Sequence, residues 1–397
     1  MKKIMIIAGG KWQCGIVRKA KELGYHVICS NLYPDSPAFQ WADECFVANV
    51  LDYEKNLEFA EKTRPDAVIT DQSDIAVRTV AKICEKLQLP GIGVETANRF
   101  SNKFMMRQFC RDHGFPCPDF CRCDTIDQAV DFYHVHGKSI LKPLDSQASR
   151  GVYIIDSEDD VKKYFSLTAA YSICQKAVLI EEYIDGVEFT VDGIKTANEM
   201  VTLAISEKSH FKEYPNVASD ILFSEFNDRF DYDLLRKINN SLVVAMGLPF
   251  GLTHAEYKFS KGKFFLIEIA ARGGGNNISS TIVPYMSGVD SNAALIRMAS
   301  GEPAGEIKVR PYDGRYVDLA FFHFAPGIVD HINGVSLLDS DPHILEYFLA
   351  YKPGEEIVPP SDDSRRAGHI IFSAFSREEL NKTRKFLLEH VQVVYRN

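Results

Sequence analysis

The stretch from Gly251 to Arg272 constrains this chain most, because its alternation fixes which side chains can face one another. Residues 251–259 and 263–271 each alternate along their length. Ser260-Lys-Gly-Lys263 between them supplies a turn, so the two runs read as an antiparallel hairpin. With the turn centred on Gly262, Glu256 lies opposite Glu268 and His254 opposite Ala270. One face then carries Ala255, Tyr257, Phe259, Phe265, Ile267, Ile269 and Ala271 and is expected to be buried. The other carries His254, Glu256, Lys258, Glu268, Ala270 and Arg272. Two carboxylates directly opposite repel each other. Either a divalent cation such as magnesium, which takes oxygen ligands, compensates them, or Lys258 and Arg272 neutralise a solvated face. Arg272 opens onto Gly273-Gly-Gly-Asn-Asn277, where the backbone can approach an anion closely; a plain flexible loop is the alternative.

The first hundred residues alternate strand and helix patterns. Strands are predicted at 4–8, 26–30, 45–50 and 67–70, and helices at 14–23, 53–63 and 75–87. Repeated units of this length imply a parallel sheet covered on both faces, a Rossmann-like domain. Gly9, Gly10 and Gly15 follow the first strand as a tight turn or an anion site. They form no G-x-G-x-x-G, which disfavours a nicotinamide-dependent dehydrogenase, and Ile16-Val17 stands where a P-loop needs Lys and Ser or Thr.

Beyond Asn102 the texture changes. Helices at 103–113, 125–135 and 159–172 interleave with strands at 139–142, 152–155 and 177–183, and the polar loop 143–151 joins two of these strands as a hairpin. From Glu188 the strands lengthen and turn antiparallel, at 189–195, 200–206, 251–259 and 263–271, with helices at 232–246 and 290–299. Residues after about 305 read as a third piece ending in a helix at 377–390. The expected fold class is α/β and α+β, divided into units 1–102, 103–187 and 188–397, the last with a C-terminal extension.

Composition narrows the function. With 45 Lys and Arg against 54 Asp and Glu, the net charge of -9 argues against nucleic acid as the main partner. The apolar run before Gly9 is too short for a signal or membrane segment, and the nine cysteines, an odd number, all lie between Cys14 and Cys174. A cytoplasmic chain with no membrane partner is the expectation. Cys117, Cys121 and Cys123 lack a matching second pair and are read as packing residues rather than a zinc site.

In this order the motifs resemble the ATP-grasp superfamily over nearly the whole chain. Asn102-Lys103, heading a helix that ends His-Gly-Phe-Pro, and Ile-Leu-Lys142-Pro look like its two nucleotide lysine segments. Asp145 to Gly151 is similar to the loop that closes over the triphosphate, with Ser146, Ser149 and Gly151 as small donors. Glu181, Glu182, Tyr183 and Ile184 resemble the adenine-binding linker, Glu188 the ribose carboxylate, and Glu256 and Glu268 the magnesium carboxylates. The usual Glu-x-Asn is broken by Ala270. Glu-Ile-Ala-Ala-Arg272-Gly-Gly is nevertheless similar to L-amino-acid ligases and carbamoyl-phosphate-synthase-like proteins, in which the arginine is expected near the transferred phosphate.

The resemblance implies an ATP-grasp fold with an N-terminal Rossmann-like (pre-ATP-grasp) domain, ATP and Mg2+ (or Mn2+) as cofactors, and an ADP-forming carboxylate–amine ligase. An acyl phosphate would be the intermediate and an amide or dipeptide-like bond the product. Lys142, Arg272 and His254 are the expected catalytic groups, His254 orienting Glu256 or Glu268 or binding a substrate oxygen. Lys208 and Lys212 are read as a solvated loop. The partners expected are a small carboxylate and a small amine, with a homodimer left open. The alternatives are a bicarbonate-using enzyme of the carboxyaminoimidazole ribonucleotide or carbamoyl-phosphate type, and a nucleotide-binding module without turnover.

Overall fold

Four parallel strands open the chain in the order β3-β2-β1-β4: β1 (Lys3–Ile7), β2 (His26–Asn31), β3 (Glu44–Val47) and β4 (Ala67–Ile69). The computed structural model describes residues 1–146, 148–173, 176–215, 217–360 and 362–396. β1 reads Lys-Ile-Met-Ile-Ile without alternation because both of its faces are buried. Met5 and Ile7 pack on Leu57 and Ala60 of α2 (Tyr53–Thr63) and on Ala76 and Ile83 of α3 (Asp74–Leu87). Ile4 and Ile6 meet Ile16 and Val17 of α1 (Cys14–Glu22), but also Leu295 and Ile296 from far down the chain. Gly15 is where α1 makes this approach, since a Cβ there would stand 2.7 Å from that of Ser280. α4 (Val94–Arg99) leads out of the sheet.

The next unit holds β5 (Phe120–Cys123), β6 (Ser139–Pro143), β7 (Tyr153–Ile155) and β8 (Val178–Glu182) in an antiparallel sheet ordered β5-β8-β6-β7. α5 (Lys103–Asp112) begins at Asn102, whose side chain accepts from the Met105 amide. α6 (Ile126–His136) starts on a Thr125–Gln128 capping box. With α7 (Glu158–Ala170) it covers one face, where Cys123 packs among Ala129, Leu141 and Ile180. Cys117 lies with its Sγ 3.9 Å from the Arg107 carbonyl. Gln147 of the predicted loop and Cys174 lie outside the described residues.

The third sheet is larger than its sequence signal. β9 (Val187–Lys195), β10 (Met200–His210), β11 (Ala218–Ser224), β12 (Gly251–Ser260) and β13 (Lys263–Ala270) are joined by β14 (Tyr316–Phe321), β16 (Ile344–Leu349) and β18 (Gly368–Ala374), in the order β13-β12-β9-β10-β11-β14-β18-β16. α8 (Tyr232–Ala245) packs Leu235, Leu242 and Val243 against Phe189, Tyr257 and Leu266. α9 (Val283–Ser287) and α10 (Ser291–Ala299) press on the N-terminal sheet. The residues after 305 therefore do not stand apart: β14, β16 and β18 complete the large sheet. Only β15 (Gly327–Asn333), β17 (Glu356–Ile357) and β19 (Gln392–Tyr395) form a separate three-stranded sheet, beside α11 (Val335–Ser340) and α12 (Arg377–His390). β11 had no counterpart in the sequence reading. Among the described residues no helix is long and apolar enough to cross a membrane.

The β12–β13 hairpin keeps the pairing of Glu256 with Glu268 and of His254 with Ala270, but reaches it by another route. The turn is the two-residue Lys261-Gly262, both residues at positive φ, and it pairs Ser260 with Lys263. One extra residue, Ile267, then bulges out between the Tyr257–Leu266 and Glu256–Glu268 pairs. Near the turn the buried residues are accordingly Phe264 and Leu266, with Phe265 and Ile267 only half-buried, which corrects the predicted core face.

Candidate active site

A cleft of about 500 Å3 lies between the small sheet and the large one. Its walls include Lys103, Lys142, Ser146, Ser149, Glu181 to Ile184, Glu188, Glu256 and Glu268, residues drawn from four separate segments. The fold thus brings most of the sequence-predicted nucleotide and metal residues to one place.

Charge in the cleft is paired closely. Lys103, in the first turn of α5, puts its Nζ 2.7 Å from Glu268 Oε1 and 2.8 Å from the Ser146 carbonyl. Lys208 reaches Glu188 at 2.6 Å and Glu256 at 3.2 Å. It stands on β10 with its side chain 9% exposed, not in a solvated loop, because that strand runs four residues past Ser206. Burial by itself works against ionisation of Glu256, but the Lys208 ammonium, followed by His254 and Arg272, outweighs it and holds the carboxyl at about 2. Burial likewise works against the Lys208 charge, and Glu188 and Glu256 overcome it, so that the lysine titrates above its ordinary range. No third His, Cys, Asp or Glu joins the carboxylate pair as a metal-ligating group among the described residues.

Glu181 lines the cleft, and its carboxylate lies between two cations. Its side chain is fully buried, with Oε2 2.6 Å from Lys142 Nζ and Oε1 2.6 Å from Arg107 Nε. Desolvation pushes the Lys142 ammonium below its ordinary value, with Glu181 working against the shift. In the linker itself, the Glu182 amide donates to the Asp119 carbonyl and the Tyr183 amide to that of Lys138.

Three predicted residues stand outside the cleft walls. Arg272 lies against α3, with Nε 2.9 Å from Asp74 Oδ1 and Nη2 2.7 Å from Oδ2. His254 does not bond Glu256 or Glu268: its Nδ1 is 2.9 Å from Oδ1 of Asp192, its direct neighbour on β9. Gly151 serves packing, since its φ is +73 and a Cβ would come within 2.6 Å of Tyr171. The predicted loop is anchored at its start, where buried Asp145 accepts from the Ile173 amide at 2.6 Å and from Arg78 at 2.9 Å. At its far side the Ser149 hydroxyl donates to Asp363 at 3.3 Å. Lys212 is exposed on the cleft rim.

Sequence reasoning missed Arg107, Asp192 and Asp74, and it placed Lys208 in a loop. Two signals were available: Arg107 is four residues after Lys103 on one helix face, and Glu-Lys-Ser-His after Ser206 continues the strand alternation.

The chain is similar to known proteins in sequence and in fold. The family model described as ATP-grasp domain matches residues 136–281, and the one described as L-amino acid ligase C-terminal domain 2 matches residues 320–396. The solved L-amino acid ligase of Bacillus licheniformis superimposes with a TM-score of 0.83 at 23% identity, over 100% of this chain and 99% of that one. The biotin carboxylase domain of Hydrogenobacter thermophilus 2-oxoglutarate carboxylase, solved as a dimer with MgADP and bicarbonate, gives 0.75 at 19% identity over 99% and 90%. In sequence, the formate-dependent phosphoribosylglycinamide formyltransferase of Bacteroides thetaiotaomicron is 27% identical over 219 residues, 53% of this chain and 52% of that protein. The chain spans between about half and two thirds of the length of the curated relatives it matches. It carries an ATP-grasp domain in an ATP-grasp fold.

Proposed function

We propose that this chain, an ATP-grasp enzyme by its domain content and fold, is an ATP-dependent carboxylate–amine ligase that joins two small molecules through an amide bond and releases ADP and phosphate. The observation that carries the reading is the cleft itself: two opposed carboxylates, Glu256 and Glu268, lie in one pocket with two lysines on the facing unit, Lys103 and Lys142. The match of residues 320–396 to an L-amino acid ligase domain favours an organic carboxylate, rather than bicarbonate, as the group that is activated.

A carboxylate is a poor electrophile, so an amine cannot displace its oxygen near neutral pH without activation. Transfer of the γ-phosphoryl group to a carboxylate oxygen breaks the bond to the β-phosphate and releases ADP. The amine nitrogen then attacks the acyl carbon, the C–O bond to phosphate breaks, and the amine gives up a proton. The protein's part is placement and charge: Lys103 and Lys142 bring positive charge to the triphosphate, and Glu188 offers a carboxylate at the end of the linker. Glu256 and Glu268 fit a magnesium ion by donor chemistry, being hard oxygen ligands with Glu256 held ionised far below neutral pH. Magnesium, when bound there, would neutralise phosphate charge. Phosphate oxygens or water would supply the ligands that these two carboxylates do not.

The reading is tested by an ADP-release screen over pooled amino acids and other carboxylates and amines, with mass spectrometry of the product. Release of ADP that requires both a carboxylate and an amine, with a condensed product, supports the ligase. Release that requires bicarbonate and no second carboxylate refutes it.

A further inference from the structure

One side chain joins the two halves of the cleft from behind. Lys103 and Arg107 lie one turn apart on α5 and project from the same face. Lys103 reaches Glu268 in the cleft, whereas Arg107 is 0% exposed. Its guanidinium makes two contacts of different kinds. Nε is 2.6 Å from Glu181 Oε1, and the other oxygen of that carboxylate holds Lys142 at 2.6 Å. Nη2 donates to the carbonyl of Ile267 at 2.5 Å.

Ile267 is the bulged residue of β13, the one without a partner on β12. The bulge decides what Glu268 does. Continuing the turn-proximal register without it would set Glu256 opposite Ile267 and send Glu268 to the other face. The next amide along, that of Leu266, is taken by the Pro116 carbonyl at 2.9 Å, so the segment following α5 fixes the bulge from the same side.

We infer that Arg107 is a positioning residue that couples the two charge centres of the cleft. Through Glu181 it sets Lys142, and through the Ile267 carbonyl it sets the register that makes Glu268 face Glu256. The inference rests on the proposed nucleotide and magnesium roles of those groups, but its test is a binding measurement and needs no substrate. A buried ion pair with a purely structural role would contribute to stability and leave ligand constants alone.

The experiment uses Arg107→Lys, which keeps the charge but cannot span both contacts, and Glu181→Gln, which keeps shape and removes the counter-charge. Binding of a non-hydrolysable ATP analogue is followed by calorimetry at saturating magnesium, and the magnesium midpoint is measured at saturating analogue. Thermal melting of each variant checks that it is folded. The coupling predicts that both constants worsen in both variants, each by about tenfold, the scale seen when a partner behind a ligand group is removed. If Arg107→Lys does not fold, Glu181→Gln alone decides. A magnesium midpoint equal to wild type in every folded variant overturns the coupling, whatever happens to the melting temperature. Failure of the wild-type protein to bind the analogue at all would instead overturn the nucleotide reading on which the inference stands.

Discussion

Replacing Lys208 by methionine should expose the electrostatic design of the cleft, because this lysine bridges two carboxylates, Glu188 and Glu256. It lies 2.6 Å from Glu188 and 3.2 Å from Glu256, with its side chain 9% exposed. Against an ordinary value of 4.5, the position of Glu256 at about 2 corresponds to about 3 kcal/mol of folding stability. The sign follows from the depressed value: this contribution is fully present above about pH 4.5 and is lost as pH falls through about 2. In Lys208→Met the largest influence on Glu256, its burial, loses its main opponent, and Glu188 is left without its ammonium as well. The expected loss at pH 7 is about 3 to 5 kcal/mol, the cost of removing one partner from a buried pair. The deficit should narrow as pH falls from 7 to 4, because protonation relieves the uncompensated carboxylates in the variant, whereas the wild-type pair stays ionised. Added magnesium should recover part of the deficit and stabilise the variant more than wild type. Urea denaturation of both proteins at pH 7 and pH 4, with and without magnesium, measures these quantities. A difference below about 1 kcal/mol at pH 7, or one independent of pH, would refute the reasoning.

Three further outcomes are expected. Lys142→Ala should lower turnover by orders of magnitude with a much smaller change in the melting temperature, since a charge aimed at a transferring phosphoryl group acts in the transition state; steady-state kinetics checks it, and turnover within a few-fold of wild type would count against the assignment. Gly151→Ala should cost about 1 to 2 kcal/mol, because φ is +73 and the added Cβ meets the Tyr171 ring, as read from thermal or chemical denaturation. Limited proteolysis near Arg150 should slow when magnesium and an ATP analogue are added, if the segment from Ser146 to Gly151 closes over the phosphates; equal rates would remove the lid role.

Much of this arrangement was legible because strong local signals act alone. The helices at Tyr53–Thr63 and Arg377–His390 begin at Asp52 and Ser376, side chains that accept from the third amide beyond, and their bounds follow from the caps. The opposition of Glu256 and Glu268 was readable from alternation. The route to it was not, because a single bulged residue leaves no trace in composition and is held by Arg107, whose position in space the hairpin cannot reveal. The same limit explains Arg272 and His254. Their types were recognisable, but Asp74 lies 198 positions from one and Asp192 lies 62 from the other, and the pairings exist only once the sheets are assembled. Strands β14, β16 and β18 read as a separate piece for the same reason, since membership of the large sheet depends on neighbours brought in by topology.

A carboxylate that is activated by phosphoryl transfer and then captured by an amine leaves an isotopic trace. Once the screen identifies a substrate pair, the carboxylate labelled with oxygen-18 tests this directly. In the acyl phosphate, one carboxylate oxygen bridges carbon and phosphorus, and it departs with phosphorus when the amine attacks. One labelled oxygen is expected in each inorganic phosphate released, with unlabelled ADP formed in equal amount. Label recovered in AMP, with pyrophosphate as the other product, would contradict it.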